Sequence, residues 1–186
     1  DYKELINFLE ESKEKTNQFI SYLLKGHKHY NKKNLSHILD SYHRECIHIP
    51  LRMICDDNDI VLISDLDEIP QFKTLKKIKE SKNIYNTMVF LHNEFQYYLN
   101  NYVNNDWYGS IISPYKLVKN SSLNDLRINS NNLPIISASG YHFTSIGKKE
   151  EIINKIESWA HQEFNHKIIK DNLEENILNG KDIFYR

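Results

Sequence analysis

Two cysteines, Cys46 and Cys55, are all the chain contains. They are too few for a disulfide framework and, by themselves, for a zinc site, so they read as buried free thiols. No apolar stretch approaches the roughly 20 residues needed to cross a bilayer. The longest such run, Ile60 to Ile63, has only strand length. No secretory leader, repeat or low-complexity tract is recognisable. A surplus of one charge is missing as well: the formal net charge is -1 and the pI about 6.8. That balance argues against a nucleic-acid binder working through bulk positive charge.

What remains is 186 residues, 40% hydrophobic and 26% charged, the balance of one globular domain with a core. Tyr2 to Asn17 reads as a helix, Phe19 to Leu24 as a strand and Gly26 to Lys33 as a loop. Asn34 or Ser36 can cap a helix in which Leu35, Ile38, Leu39, Tyr42, Cys46, Ile49 and Met53 share one side, with a kink or break at Pro50. An acidic turn, Asp56 to Asp59, leads into the apolar run ending at Ser64, which predicts an interior strand buried on both faces. Phe72 to Lys82 reads as a helix, and Tyr85 to Leu91, Glu94 to Val103 and Tyr108 to Ser113 as strands. Ser122 to Arg127 reads as a short helix, and Ile135 to Ala138 and Tyr141 to Ser145 as strands around Gly140. Lys148 to His166 carries the longest helical pattern, followed by a last helix from Lys170 to Asn179. Early alternation with a cluster of strands in the middle predicts an α/β fold with a sheet of mixed direction.

The most informative segment follows the apolar run. Along an extended chain Asp65 and Asp67 project to one side and Leu66 to the other. Two carboxylates at the end of a strand repel unless a cation joins them, and hard oxygen ligands suit Mg²⁺ or Mn²⁺. The alternative is a helix cap or an Asx turn. An aspartyl nucleophile of phosphoryl transfer is a poorer match, because Glu68 and Ile69 follow where small residues belong.

Ser64-Asp65-Leu66-Asp67-Glu68-Ile69-Pro70 resembles the strand-and-acid motif of glycosyltransferase family 17, which includes the enzymes adding the bisecting N-acetylglucosamine to N-glycans. Glu94 to Asn100 leading into Trp107-Tyr108-Gly109 is similar to the same family, as is Gly140 to Ser145 followed by Lys155 to Asn165. Tyr141 stands where the family pattern often has Trp. The resemblance covers about Ser36 to Asn165. It implies a GT-A-like mixed sheet flanked by helices, a divalent metal (Mn²⁺ or Mg²⁺), a UDP-sugar donor with UDP-N-acetylglucosamine the first guess, a glycan acceptor, and inversion at the anomeric carbon. Family members usually begin with a further strand-helix-strand region that helps hold the nucleotide. No equivalent is recognisable before Ser36, so the chain reads as a compact variant or as a single domain lacking part of that region.

Candidate site residues follow from both lines of reading. Asp65 and Asp67 are metal ligands, with Asp65 also a cofactor contact and Glu68 a substrate contact in the same motif. His142 beside Gly140 is a third ligand or a donor to the diphosphate, or else a hydrogen-bonded structural histidine. Glu163 falls on the apolar stripe of Ile152, Ile153, Ile156, Trp159, Ala160 and Phe164 if the helix runs on, so it needs a partner such as a backbone amide, His142 or Arg127, or serves as catalytic base. Glu94 is the other candidate base, with Asp106 a further acid nearby. His161 at the edge of that stripe is a phosphate or sugar contact. Trp107, Tyr97, Tyr98 and Tyr102 can stack on a sugar face or fill a core. The competing function is a non-catalytic carbohydrate- or nucleotide-binding module derived from such an enzyme, and a metal-dependent phosphohydrolase is a third.

Overall fold

The computed structural model describes Glu14 and residues 35–81, 84–159 and 161–184. The expected helix, strand and loop between Tyr2 and Lys33, and the cap at Asn34, lie outside these. Two helices come first, α1 (Leu35–Cys46) and α2 (His48–Ile54). They separate at Ile47, not at Pro50. Proline at the third position of α2 sits in a first turn, where no intrahelical donor is needed. Ser36 lies inside α1 and is not its cap. With the helix interrupted, the apolar stripe does not continue: Ile49 and Met53 are exposed. Cys46 and Cys55 are free, as expected, but only half-buried.

A five-stranded sheet follows, built from β1 (Ile60–Ile63), β2 (Glu68–Pro70), β3 (Met88–Tyr97), β4 (Tyr102–Pro114) and β5 (Ile135–Ile146). Its order is β1-β4-β3-β5-β2, with only β3 and β5 parallel. This is the mixed α/β architecture that the pattern predicts, flanked by helices and consistent with a GT-A-like fold. The placing of β1 departs from expectation. Among the described residues it pairs with β4 alone. Val61 is buried, whereas Ile60 and Leu62 are about two-fifths exposed. An apolar run of this length signals a strand but does not count its neighbours. The middle strands also differ. Glu94 to Val103 is not one strand, because the chain turns back at residues 98–101 between β3 and β4. The strand around Gly140 is continuous, since glycine is tolerated where a neighbouring backbone must come close.

The helices bury three separate apolar clusters. Val61, Tyr115, Val118 and Leu123 pack with Leu51 on one side of β1. Helix α3 (Phe72–Ser81) sets Leu75 and Ile78 against Phe90 and Ile112. Helices α6 (Lys149–Ser158) and α7 (Lys167–Asn179) close over Tyr97 with Ile152, Ile156, Ile169 and Leu173. Between β4 and β5, the short α4 (Tyr115–Val118) precedes α5 (Leu123–Ile128). Ser122 caps α5 by accepting from the Asp125 amide, while Glu45 of α1 accepts from Ser122 Oγ and the Asn124 amide. That double tie fixes the helix that carries Arg127.

Helix α6 is shorter than its sequence pattern. It ends at Ser158, and Trp159 is already extended. The Gln162 side-chain amide donates to the carbonyls of Ile156, Glu157 and Trp159, taking acceptors that further helix would have used. Residues Gln162–Phe164 form a separate 3₁₀ turn, so the helical wheel does not apply to Glu163. Among the described residues, no helix is long and apolar enough to cross a membrane.

The closest packing in the sheet is at Gly140. A methyl group built there would lie 2.6 Å from the Ile69 carbonyl oxygen and 2.8 Å from His92 Nε2. Backbone cannot yield as a flexible side chain does, so Gly140→Ala is expected to destabilise the fold by about 1–3 kcal/mol. Chemical denaturation measures this, and an unchanged midpoint would refute so tight a contact between β2 and β5.

Candidate functional site

Ser64 to Asp67 crosses from β1 at one edge of the sheet to β2 at the other, and the sheet curls to let it. Ser64 Oγ meets Ser110 Oγ of β4 at 2.6 Å and donates to the Glu68 carbonyl at 2.9 Å. The Glu68 amide donates to the Asp65 carbonyl at 3.1 Å, closing a turn, and the Phe143 amide donates to the Asp67 carbonyl. A turn, then, and not a continued strand, holds the two acids. Leu66 is 99% exposed, while Asp65 and Asp67 both line one cleft of about 510 Å³.

Beneath the turn lies a buried anchor. Glu68 is 4% exposed. Its carboxylate accepts from Arg127 at 2.6 Å, from the Trp107 indole at 2.8 Å and from the Asp65 amide at 3.3 Å. Burial pushes its carboxyl above the usual range, against the opposing pull of Arg127 and Trp107. Arg127 also donates to Asp65 at 3.2 Å and to the backbone carbonyls of Tyr108 and Gly109.

The floor of the cleft is one polar face of the sheet. His92, Glu94 and Gln96 alternate along β3, opposite Gly140, His142 and Thr144 of β5. One wall is α1, whose His37, Asp40, Ser41 and Arg44 fall at helical spacing on the cleft side. Asp67 faces His142 at 3.7 Å and Lys155 of α6 at 3.4 Å. Burial raises its carboxyl, but the hydrogen bond from His142 and the Lys155 charge outweigh that and bring it down to about 2. Asp67 therefore stays ionised at any ordinary pH.

Several expected residues do meet in this cleft. Asp65, Asp67, Glu94, Trp107, His142 and His161 all line it. The imidazole of His142 stacks on Trp107 with ring centres 4.0 Å apart, and Arg127 lies 5.3 Å from the same indole. By type, Asp65, Asp67 and His142 suit a hard divalent ion, although their ligand atoms do not converge into one group of three as they stand. Asp65 also serves Arg127 and lies 3.7 Å from Arg44, so Asp67 is the better placed of the two acids.

The remaining candidates lie elsewhere. Glu68 sits under the cleft and is saturated by its partners. Tyr98 lines a different hollow, with Leu99, Ile146 and Leu178. Tyr97 is buried in the core and Tyr102 is half exposed beside the hairpin turn. Glu163 is half exposed, and its partners are His161 at 2.7 Å and His37 at 3.4 Å, not His142 or Arg127. Sequence reasoning missed Arg44, Lys155, His37 and His92. The first three are polar residues on helices whose exposed faces carry many such residues. A histidine within a β-run, like His92, reads as structural.

A sequence profile of glycosyltransferase family 17 matches residues 3–185. That span extends beyond Ser36 to Asn165 at both ends. No curated protein and no solved structure matches the chain.

His92 supplies a test of the buried floor. It is fully buried between Gly109 and Gly140, and neither ring nitrogen has a hydrogen-bond partner. Burial first, then the charges of His142 and Arg127, bring its pKa from 6.5 down to about 4. The unfolded chain thus takes up this proton first as pH falls, and stability is lost between pH 6.5 and 4. Asp67 adds a separate loss only between 3.8 and about 2. Denaturation of wild type and His92→Asn across pH 7 to 4 should show a steeper fall in wild type, by up to about 3 kcal/mol in total. Parallel curves would mean that His92 takes up its proton in the fold as readily as in the unfolded chain.

Proposed function

Because the chain belongs to glycosyltransferase family 17, we propose that it is a metal-dependent transferase. It moves a sugar from a UDP-sugar to a glycan hydroxyl, with N-acetylglucosamine the first donor sugar to test. The observation that carries this reading is the meeting of Asp65, Asp67 and His142 with Lys155 and Arg44 in one cleft. Carboxylates and an imidazole suit a divalent ion, and cations suit a diphosphate.

In this reading Asp67 and His142, with Asp65 beside them, would hold Mn²⁺ or Mg²⁺. The ion would supply Lewis-acid stabilisation of the charge that develops on the departing nucleotide. Lys155, 3.4 Å from Asp67, contributes a second positive charge to the donor diphosphate. The acceptor oxygen attacks the anomeric carbon, the bond to the UDP oxygen breaks, and the configuration inverts. Glu94 is the favoured base for the acceptor proton, because it lines the cleft and lies across from His142 in the sheet. Glu163, the other candidate, is engaged by two histidines. Glu68 and Arg127 act indirectly, by holding the turn in place.

Asp67→Asn keeps the shape but removes a strong ligand. Turnover of UDP-N-acetylglucosamine with saturating Mn²⁺ should fall by about 10²-fold or more, and the thermal midpoint should drop as well, because the attraction of the ionised carboxylate to His142 and Lys155 is lost. Calorimetry should show UDP binding to wild type only when Mn²⁺ is present. UDP binding that ignores the metal, with no sugar turnover, would point instead to a non-catalytic binding module, and near-normal turnover by Asp67→Asn would remove the basis for the metal site. Glu94→Gln should retain UDP binding and lose about 10²–10⁴-fold in turnover. A normal rate would remove Glu94 as the base.

A further inference from the structure

A second cluster of ligating groups stands at the cleft, apart from the aspartate pair. His37 of α1, His161 in the segment after α6 and Glu163 of the 3₁₀ turn each offer one ligand atom, and these atoms lie within 4.8 Å of one another. His161 Nδ1 is 2.7 Å from Glu163 Oε1, and His37 Nε2 is 3.4 Å from Glu163 Oε2. The two imidazoles meet edge to face, with centres 4.7 Å apart. Among the described residues this is the one group of three whose atoms converge in this way.

We propose that His37, His161 and Glu163 form a binding site for a transition-metal ion of the Zn²⁺ class. Three considerations carry the assignment. Two imidazoles and one carboxylate are the donor set of three-ligand zinc sites, whereas Mg²⁺ prefers an all-oxygen shell with several waters. The 3.4 Å from His37 Nε2 to Glu163 Oε2 is about the separation set by metal bonds of about 2.0–2.2 Å at tetrahedral angles, while the 2.7 Å hydrogen bond from His161 Nδ1 to Glu163 Oε1 has to open by a few tenths of an ångström to admit an ion. The ligands are two-fifths to half exposed, which leaves room for water or a substrate oxygen at the remaining position.

The surroundings hold one ligand steady. The His161 ring packs 4.4 Å from Trp159, and Trp159 in turn rests against Phe164 and Phe184. His37 comes from the opposite wall of the cleft, more than 120 residues earlier in the chain. Coordination at His161 Nδ1 replaces its hydrogen bond to Glu163, and the neutral ring then carries its proton on Nε2. The bound ion joins α1 to the segment after α6 and fastens the two walls together at this point. None of this depends on the donor sugar or on a metal at Asp67.

Equilibrium dialysis of the whole chain against Zn²⁺, without nucleotide, tests the site. Wild type should retain one Zn²⁺ per chain, and Zn²⁺ should raise its thermal midpoint. His37→Ala, His161→Ala and Glu163→Gln should each fold and lose that retained ion, while Asp67→Asn should keep it. In the zinc-loaded protein, ¹⁵N spectra of the histidine rings should show shifted His37 and His161 nitrogens with His142 unmoved. Retention of the ion by all three variants, its loss in Asp67→Asn, or no retention by wild type would each overturn the proposal. The wild-type result is separate from the UDP titration with Mn²⁺, so either reading can fail alone.

Discussion

A half-buried guanidinium holds the acidic turn in place. Arg127 reaches from α5 to Glu68, to Asp65 and to two carbonyls of β4. It thereby ties the turn that joins the two edges of the sheet to the strand beneath. Burying Glu68 is costly by itself. It is tolerable because Arg127, the Trp107 indole and the Asp65 amide supply donors to the carboxylate. The arrangement places Asp65 and Asp67 at the cleft and leaves Leu66 in solvent. It also fixes the indole on which His142 stacks.

The rest of the molecule is arranged around keeping one sheet face polar. His92, Glu94, Gln96, His142 and Thr144 are all buried on β3 and β5, where an ordinary sheet would bury apolar side chains. Stability is recovered in three apolar clusters set around the sheet. Close strand approach at Gly109 and Gly140 leaves room for the neutral His92 ring and little else. A floor of this kind is stiff and holds its polar groups in fixed positions, as a binding site requires.

Helix ends decide which residues reach the cleft. The cap on α5 sets the direction of Arg127, and the Gln162 amide ends α6 so that His161 and Glu163 leave the helical path. Lys155, one turn before that end, still points to Asp67. One glutamine side chain thus separates the residue that faces Asp67 from the pair that faces His37.

Much was legible in the sequence by itself, because the determining interactions are local. Periodicity located β1, α3, α5 and α7 to within a few residues, and the apolar run followed by Asp65 and Asp67 marked a turn that lines the cleft. The motifs around Asp65, Trp107 and His142 pointed to the family that the profile then matched. Tertiary structure decided the rest. Hydrophobic pattern records burial, not how many strands lie alongside, so the pairing of β1 with β4 alone among the described residues could not be read from it. Helical spacing does not reveal a side chain returning to cap its own helix, so Glu163 was placed on a stripe it never joins. Arg127, Lys155 and His37 are ordinary surface-type residues in the linear chain. Their roles arise only when segments up to 126 positions apart come within hydrogen-bonding distance, a condition set by long-range packing.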